Sequence, residues 1–217
     1  TKVIDVGTED DDLKGDDLKN VLDAYKREDY QTAYKLLLHL AEEKKIKQLE
    51  EEKRLAEQGD AEAQLHLGKM YYHGQGVSKD YKEAVKWFRL SAKQGNAKAQ
   101  YSLGEMYDEG HGVKLNEKEA FEWYYQAANQ GDIHAQEHLS LIFSSGNLVE
   151  EDPILAHMWN YIAFSQSKNE KLMKLMEKMI EGTPQQKEEA KEMARNWKPK
   201  QESKGVFEQF RSKGLFE

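Results

Sequence analysis

Two histidines stand four residues apart in Ile133-His134-Ala135-Gln136-Glu137-His138, with a glutamate directly before the second. Residues i and i+4 share one face of a helix, so two imidazoles there can grip one metal ion while a neighbouring carboxylate acts as base toward metal-bound water. The chemistry open to His134, Glu137 and His138 is therefore metal-assisted hydrolysis. With no cysteine in the chain, no thiolate ligand, cysteine nucleophile or disulfide is available. What decides between a metal site and something plainer is whether the rest of the chain gives these positions another task.

Composition narrows the setting. The chain has 217 residues, 33% of them charged, and a net charge of -8; its mean hydropathy is -0.92 and its isoelectric point about 5.5. Such an acidic field repels phosphate backbones and anionic lipid, so nucleic acid is not an expected partner. No segment is long and apolar enough for a membrane span. There is no glycine-rich phosphate loop, nucleophile elbow or Ser/His/Asp order, and no cofactor is implied.

The positioning elements come from an internal repeat. Ala56-Glu57-Gln58-Gly59 returns as Ala92-Lys93-Gln94-Gly95, and a third copy starts at Ala128. Gly59, Gly95 and Gly131 recur at one fixed period, as do Gln64, Gln100 and Gln136; Leu67, Leu103 and Leu139; Ala84, Ala120 and Ala156; and Trp87, Trp123 and Trp159. Each unit reads as two helices. In the first copy, Ala63, Leu67, Met70, Tyr71 and Gly74 fall on one stripe at helical spacing, and Gly74-Gln75-Gly76 closes the helix. Asp80, Asn116 and Asp152 then stand as N-caps of the second helices, with Pro153 at a first helical position. Those helices bury Ala84, Trp87 and Phe88 in copy one, and small Gly68 and Gly104 allow close approach, with Ser140 nearly keeping that rule. On this reading Trp123 is interior, and Trp123→Ala costs about 3 to 5 kcal/mol.

The pattern A-x-Q-G-D/N-A-x-A-Q-x-x-L-G-x-M-Y-x-x-G-x-G-V, followed by D/N-x-x-x-A-x-x-W, resembles the Sel-one-like repeat, a relative of the tetratricopeptide unit. The match is specific over residues 56 to 128; in copy three Ser140, Phe143 and Leu148 replace the expected glycine, tyrosine and glycine, so the third interhelix turn departs from the pattern. Thr183-Pro184-Gln185-Gln186 through Ala190, Met193, Ala194 and Trp197 is similar to the helix that closes many such arrays. The resemblance implies an all-α fold, a right-handed superhelical solenoid of stacked helix pairs. It also implies an adaptor that offers a concave surface to a protein or peptide rather than a catalyst, and a bacterial periplasmic or secreted setting, with the cytoplasm also open.

Against that framework the histidine motif changes meaning. Ala135 and Gln136 repeat Ala63-Gln64 and Ala99-Gln100, whereas His134, Glu137 and His138 fall on the variable positions of a first helix. At about 100° per residue, the stripe opposite Leu67 holds positions 62, 65, 66, 69, 72 and 73, and stacking sets equivalent stripes side by side. The expected binding face is thus Leu65, His66, Lys69, Tyr72 and His73 from copy one, Tyr101, Glu105, Asp108 and Glu109 from copy two, and Glu137, His138 and Leu141 from copy three. Tyrosine and histidine there combine apolar contact area with a polar handle, and imidazoles make binding sensitive to pH between about 5 and 8. Plain solvated helix faces are the alternative, and a metal-dependent hydrolase through His134, Glu137 and His138 is the other functional reading.

The ends differ from the middle. The expected organisation is an acidic, disordered leader over 1–16; an N-terminal capping helix pair over 17–55; repeats over 56–91, 92–127 and 128–164; capping helices over 165–198; and an aromatic tail over 199–217. In the N-terminal cap, an insertion from Glu42 to Ala56 lacks glycine and proline and offers Glu43 with Lys47 and Glu50 with Arg54, so it should lengthen the second helix by about 22 Å. The tail displays Val206, Phe207, Phe210, Leu215 and Phe216, which either fold back on the last helices or reach a neighbour. The lengthened helix and the tail are the two segments that could support self-association.

Overall fold

The computed structural model describes residues 15–179 and 181–198. Among the described residues there are ten α-helices and no strand, and none of these helices is long and apolar enough to cross a membrane. They are α1 (Gly15–Lys26), α2 (Tyr30–Glu57), α3 (Ala61–His73), α4 (Tyr81–Lys93), α5 (Ala97–Glu109), α6 (Glu117–Asn129), α7 (Ile133–Ser145), α8 (Pro153–Ser167), α9 (Glu170–Met179) and α10 (Pro184–Asn196). The chain divides into two compact units, one ending at Arg54 and the other beginning at Leu55. The calls on residues 1–14 of the leader and on the tail from 199 lie outside the described residues.

In the first unit, α1 includes Asp16 and Asp17 in its opening turn, where carboxylates favour the positive end of the helix dipole. Glu28 takes a positive φ of 63° at the turn, and the Asp29 carboxylate accepts from the Thr32 amide to start α2. Ala24 and Ala33 are buried, while Leu22, Tyr25 and Tyr34 stay exposed. α2 runs unbroken for 28 residues, through the inserted segment. The ion pairs differ in register from those expected: Glu51, not Glu50, holds Arg54 through a 2.8 Å hydrogen bond, and Glu43 lies 3.3 Å from His39. Positions i and i+3 are also neighbours on a helix, and the planar guanidinium takes the nearer carboxylate.

In the second unit the sequence period becomes a period of helix ends. Asp60, Asn96 and Asp132 cap α3, α5 and α7 by accepting from the amides of Ala63, Ala99 and Ala135. Asp80, Asn116 and Asp152 cap α4, α6 and α8. Between the caps, α3 packs on α4, α5 on α6 and α7 on α8, while α4 meets α5 and α6 meets α7, giving an α-solenoid of stacked helix pairs. α10 closes it on α8, opened by a capping box in which Thr183 and Gln186 bond each other's backbone.

One buried side chain ties each pair to the helix end before it. Gln64 donates to the Ala56 carbonyl at 3.0 Å, Gln100 to Ala92 at 3.2 Å and Gln136 to Ala128 at 3.0 Å. Each amide oxygen then accepts from a second glutamine at the end of its own helix pair: Gln94 to Gln64 at 2.8 Å, Gln130 to Gln100 at 2.6 Å and Gln166 to Gln136 at 2.9 Å. Within a pair, the helices meet at a residue without a side chain. A methyl group on Gly104 would sit 2.7 Å from the Tyr124 ring, and one on Gly68 would sit 2.5 Å from Phe88. In the third pair both partners change together, since Asn160 replaces the ring and leaves room for Ser140, whose hydroxyl donates to the Ala156 carbonyl at 2.8 Å.

The third turn closes like the others although Leu148 stands where the first two copies have glycine. The Asp152 amide bonds the Phe143 carbonyl at 3.0 Å, as Asp80 bonds Tyr71 and Asn116 bonds Tyr107, both at 2.9 Å. Leu148 needs no left-handed backbone and packs against the core around Phe121 and Phe143. The tryptophans require a correction. Trp159 is 2% exposed and Trp87 9%, but Trp123 is only half-buried, its ring nitrogen bonded to Glu119 at 3.2 Å. Adjacent Phe121, Tyr124 and Tyr125 fill the interior of α6 and leave that ring at the margin.

Two stability measurements follow from this packing. Trp159→Ala should cost about 3 to 5 kcal/mol in chemical denaturation, and Trp123→Ala clearly less. Gly104→Ala, which in an open helix would stabilise by about 1 kcal/mol, should instead destabilise by about 1 to 3 kcal/mol because Tyr124 has to move.

Candidate functional site

The first helices α3, α5 and α7 carry the face on which the sequence placed its binding residues. His66 and His73 are exposed and Lys69 and Tyr72 half-buried; Asp108 and Glu109 are exposed and Tyr101 and Glu105 half-buried; His134 is exposed, Glu137 and His138 are half-buried, and Leu141 is 39% exposed. Leu65 is a correction. It is fully buried in a cluster with Ala84, Val85 and Phe88 of α4 and Ala99, Leu103 and Met106 of α5. A first helix in a stack is covered both by its own partner and by the next pair, so its buried arc is wider than the stripe around Leu67 and takes in position 65.

Two aromatic clusters form across repeat boundaries. In one, Tyr72 at the end of α3 packs against Tyr81 with ring centroids 5.4 Å apart, and His111, from the turn after α5, stacks on Tyr81 at 4.3 Å and 7°. Lys79 lies 4.5 Å from the Tyr81 centroid as a cation on an aromatic face. Gly112 makes the contact possible, because its φ of 70° lets the turn approach so closely that a side chain there would strike the Tyr81 carbonyl at 2.4 Å. Neither Tyr81 nor His111 is on the predicted stripe. They were legible only by treating the turn of one copy as the neighbour of the second helix of the copy before it.

The other cluster gathers Tyr101, Tyr124, His134 and His138. Tyr124 stacks on His138 at 4.8 Å, and Tyr101 lies 5.6 Å from Tyr124, 5.7 Å from His134 and 5.6 Å from His138. The Tyr101 hydroxyl donates to Glu105 at 2.9 Å and lies 3.4 Å from His138 Nε2. Its one proton goes to the carboxylate, so the weaker contact has His138 Nε2–H donating to the phenol oxygen, which assigns the Nε2–H tautomer. Burial holds the His138 imidazole below the ordinary histidine value, against the opposing pull of Asp108 and Glu137. Burial likewise pushes the Glu105 carboxyl up, although the Tyr101 hydrogen bond works the other way. The phenols of Tyr101 and Tyr124 are raised, by burial first and then by the carboxylates around them.

The same geometry bears on the metal reading. His138 is engaged by Tyr101 and Tyr124, and His134 Nδ1 lies 3.7 Å from Glu137. Among the described residues no group of three or more His, Cys, Asp or Glu side chains converges as a metal site requires.

A stack of capped helix pairs tied by buried glutamines defines a helical-repeat solenoid. The Sel1 repeat matches at residues 61–96, 97–132 and 133–166, the same period as in the sequence but phased on the helix starts. Among solved structures, the chain is similar to a Sel1 repeat protein from Oxalobacter formigenes, at 37% identity over 60% of this chain and 98% of that one, with a TM-score of 0.55. It is also similar to c5321, a protective antigen of uropathogenic Escherichia coli strains with an SLR fold, at 32% identity over 76% of this chain and 35% of that one, with a TM-score of 0.62. Curated proteins yield no match. The chain belongs to the Sel1 repeat family, whose members are in general protein–protein interaction scaffolds and typically not enzymes.

The depressed His138 value has a measurable sign. The unfolded chain takes up a proton near the ordinary value of 6.5, whereas the folded imidazole resists it. The contribution is therefore fully present above that pH and is lost as pH falls toward the folded value. An NMR titration of the ring protons should place His138 below 6.5, and His138→Gln should flatten the fall in stability across that window.

Proposed function

We propose that this chain is an adaptor that binds a protein partner through the concave face carried by α3, α5 and α7. One observation carries the reading. Aromatic and histidine side chains at that face, all half-buried or exposed except the buried Tyr124, assemble into clusters spanning consecutive repeats, Tyr72 with Tyr81 and His111, and Tyr101 with Tyr124, His134 and His138. Side chains needed only to close the core would be buried within one helix pair. These instead bring rings and polar groups of consecutive pairs together at the face, which suits an extended partner segment. Membership of a scaffold family supports the same class of function.

The hydrolase reading finds less support. His138 is held in a hydrogen-bond and stacking contact with Tyr101 and Tyr124, the exposed His134 lies by Glu137 and the Tyr101 ring, and the pair lacks a third ligand among the described residues.

The adaptor reading is tested by affinity purification with the full chain, followed by binding measurements on the captured partner. Replacing Tyr72 and His134 together with alanine should weaken capture by more than about 1 kcal/mol while the far-ultraviolet helical signal is unchanged. Equal capture by this variant and the unaltered chain would remove the face from consideration.

A further inference from the structure

Three exposed helix carboxylates of this chain have cations beside them: Glu51 with Arg54, Glu83 with Lys86 and Glu188 with Lys191. The half-buried Glu105 does not. Its recorded hydrogen bond comes from the Tyr101 hydroxyl, and among the described residues neither Glu105 nor Asp108 has a lysine or arginine within ion-pair distance. A carboxylate drawn out of water without a counter-charge is unfavourable, and a cation relieves it.

A second, independent feature points the same way. The hydroxyl of Tyr124, a residue 1% exposed, has no hydrogen-bond partner among the described residues and lies within electrostatic reach of Asp108, Glu105 and Glu109. Packing does not call for that hydroxyl. The same position in the first repeat is Phe88, which closes over Gly68 as Tyr124 closes over Gly104. A buried hydroxyl of this kind is one that a group from outside the fold can complete. Beside the imidazoles of His134 and His138, the surroundings are acceptors, negative charge and aromatic faces, which suit a donor with positive charge. Guanidinium fits best: it carries five donors and no acceptor, its planar fork matches carboxylates, and it stacks on tyrosine. Tyr101 and His138 pack against the Tyr124 ring and are both half-buried side chains at the face, so that ring lies one side chain beneath it.

We infer that the partner of this face is an arginine-bearing protein segment, its guanidinium seated between Glu105 and Asp108 and against the Tyr124 hydroxyl. The inference rests on the adaptor reading above and names the chemistry the partner must present.

The probe is the capped peptide acetyl-Gly-Ser-Arg-Trp-Arg-Ser-Gly-amide, titrated calorimetrically into the full chain beside the same peptide with citrulline, arginine's neutral isostere, at both arginine positions. Binding should weaken about tenfold with citrulline and about fivefold or more in Glu105→Gln and in Tyr124→Phe. Glu83→Gln, the same charge change on α4, should move it less than about twofold. The melting temperature of Tyr124→Phe should equal or exceed that of the unaltered chain, which separates lost binding from lost fold. Equal binding of the two peptides, equal effects of Glu105→Gln and Glu83→Gln, or no binding of the arginine peptide would each overturn the inference. The captured partner separates the two levels. If it is lost from the Tyr72/His134 variant but held fully by Glu105→Gln and Tyr124→Phe, the arginine inference falls and the adaptor reading stands; if all three variants hold it, both fall.

Discussion

A helix that ends inside a stack leaves carbonyl groups that water cannot reach, and each of these must find a donor or the stack is penalised. In this chain the donor is a side-chain amide from the next helix pair. Gln64, Gln100 and Gln136 each reach back to the last turn of the preceding helix, and each is held in place by a glutamine at the end of its own pair. The amide has two donors and an acceptor, so one buried residue joins three helix ends at once. Hydrophobic contact alone is non-directional and would let the pairs slide. The glutamine bonds allow one register only, and the places of the exposed residues depend on it.

The fold was legible in the sequence because its signals repeat and agree. Caps at Asp60, Asn96 and Asp132, glutamines at one fixed period, and a small residue facing a ring all point to the same helix boundaries. The candidate face was less legible. Periodicity ranks positions around one helix, yet burial in a solenoid also depends on what the neighbouring pair lays over it. That second layer is why Leu65 is enclosed, whereas Trp123 sits at the margin because Phe121, Tyr124 and Tyr125 fill the interior of its own helix. Tyr81 and His111 escaped for a related reason, since their stacking depends on the path of a glycine turn between copies and not on either helix's own period.

The third pair shows how the array tolerates change. Ser140 and Asn160 replace a glycine and a ring that had to fit each other, and the serine hydroxyl takes a backbone carbonyl in place of ring contact. Leu148 replaces a glycine while the bond from Asp152 to Phe143 keeps its length. In both cases the side chains differ and the helix ends stay where they are. At buried positions variation is therefore confined to exchanges that keep the register, while the exposed part of the first helices is free to vary.

That confinement explains the histidine pair. Gln136 lies between His134 and His138 and must face the helix end at Ala128, so the two imidazoles are directed to the other side of α7, toward Tyr101 and Tyr124 of the preceding pair. There His138 meets a phenol whose proton is already given to Glu105, and it settles as a neutral donor within a layer of rings. A metal ion would need the imidazole lone pairs turned to a common point and a third ligand beside them. The spacing of a metal motif is thus present in the chain, while the register that produces the spacing directs its side chains into an aromatic and acidic surface.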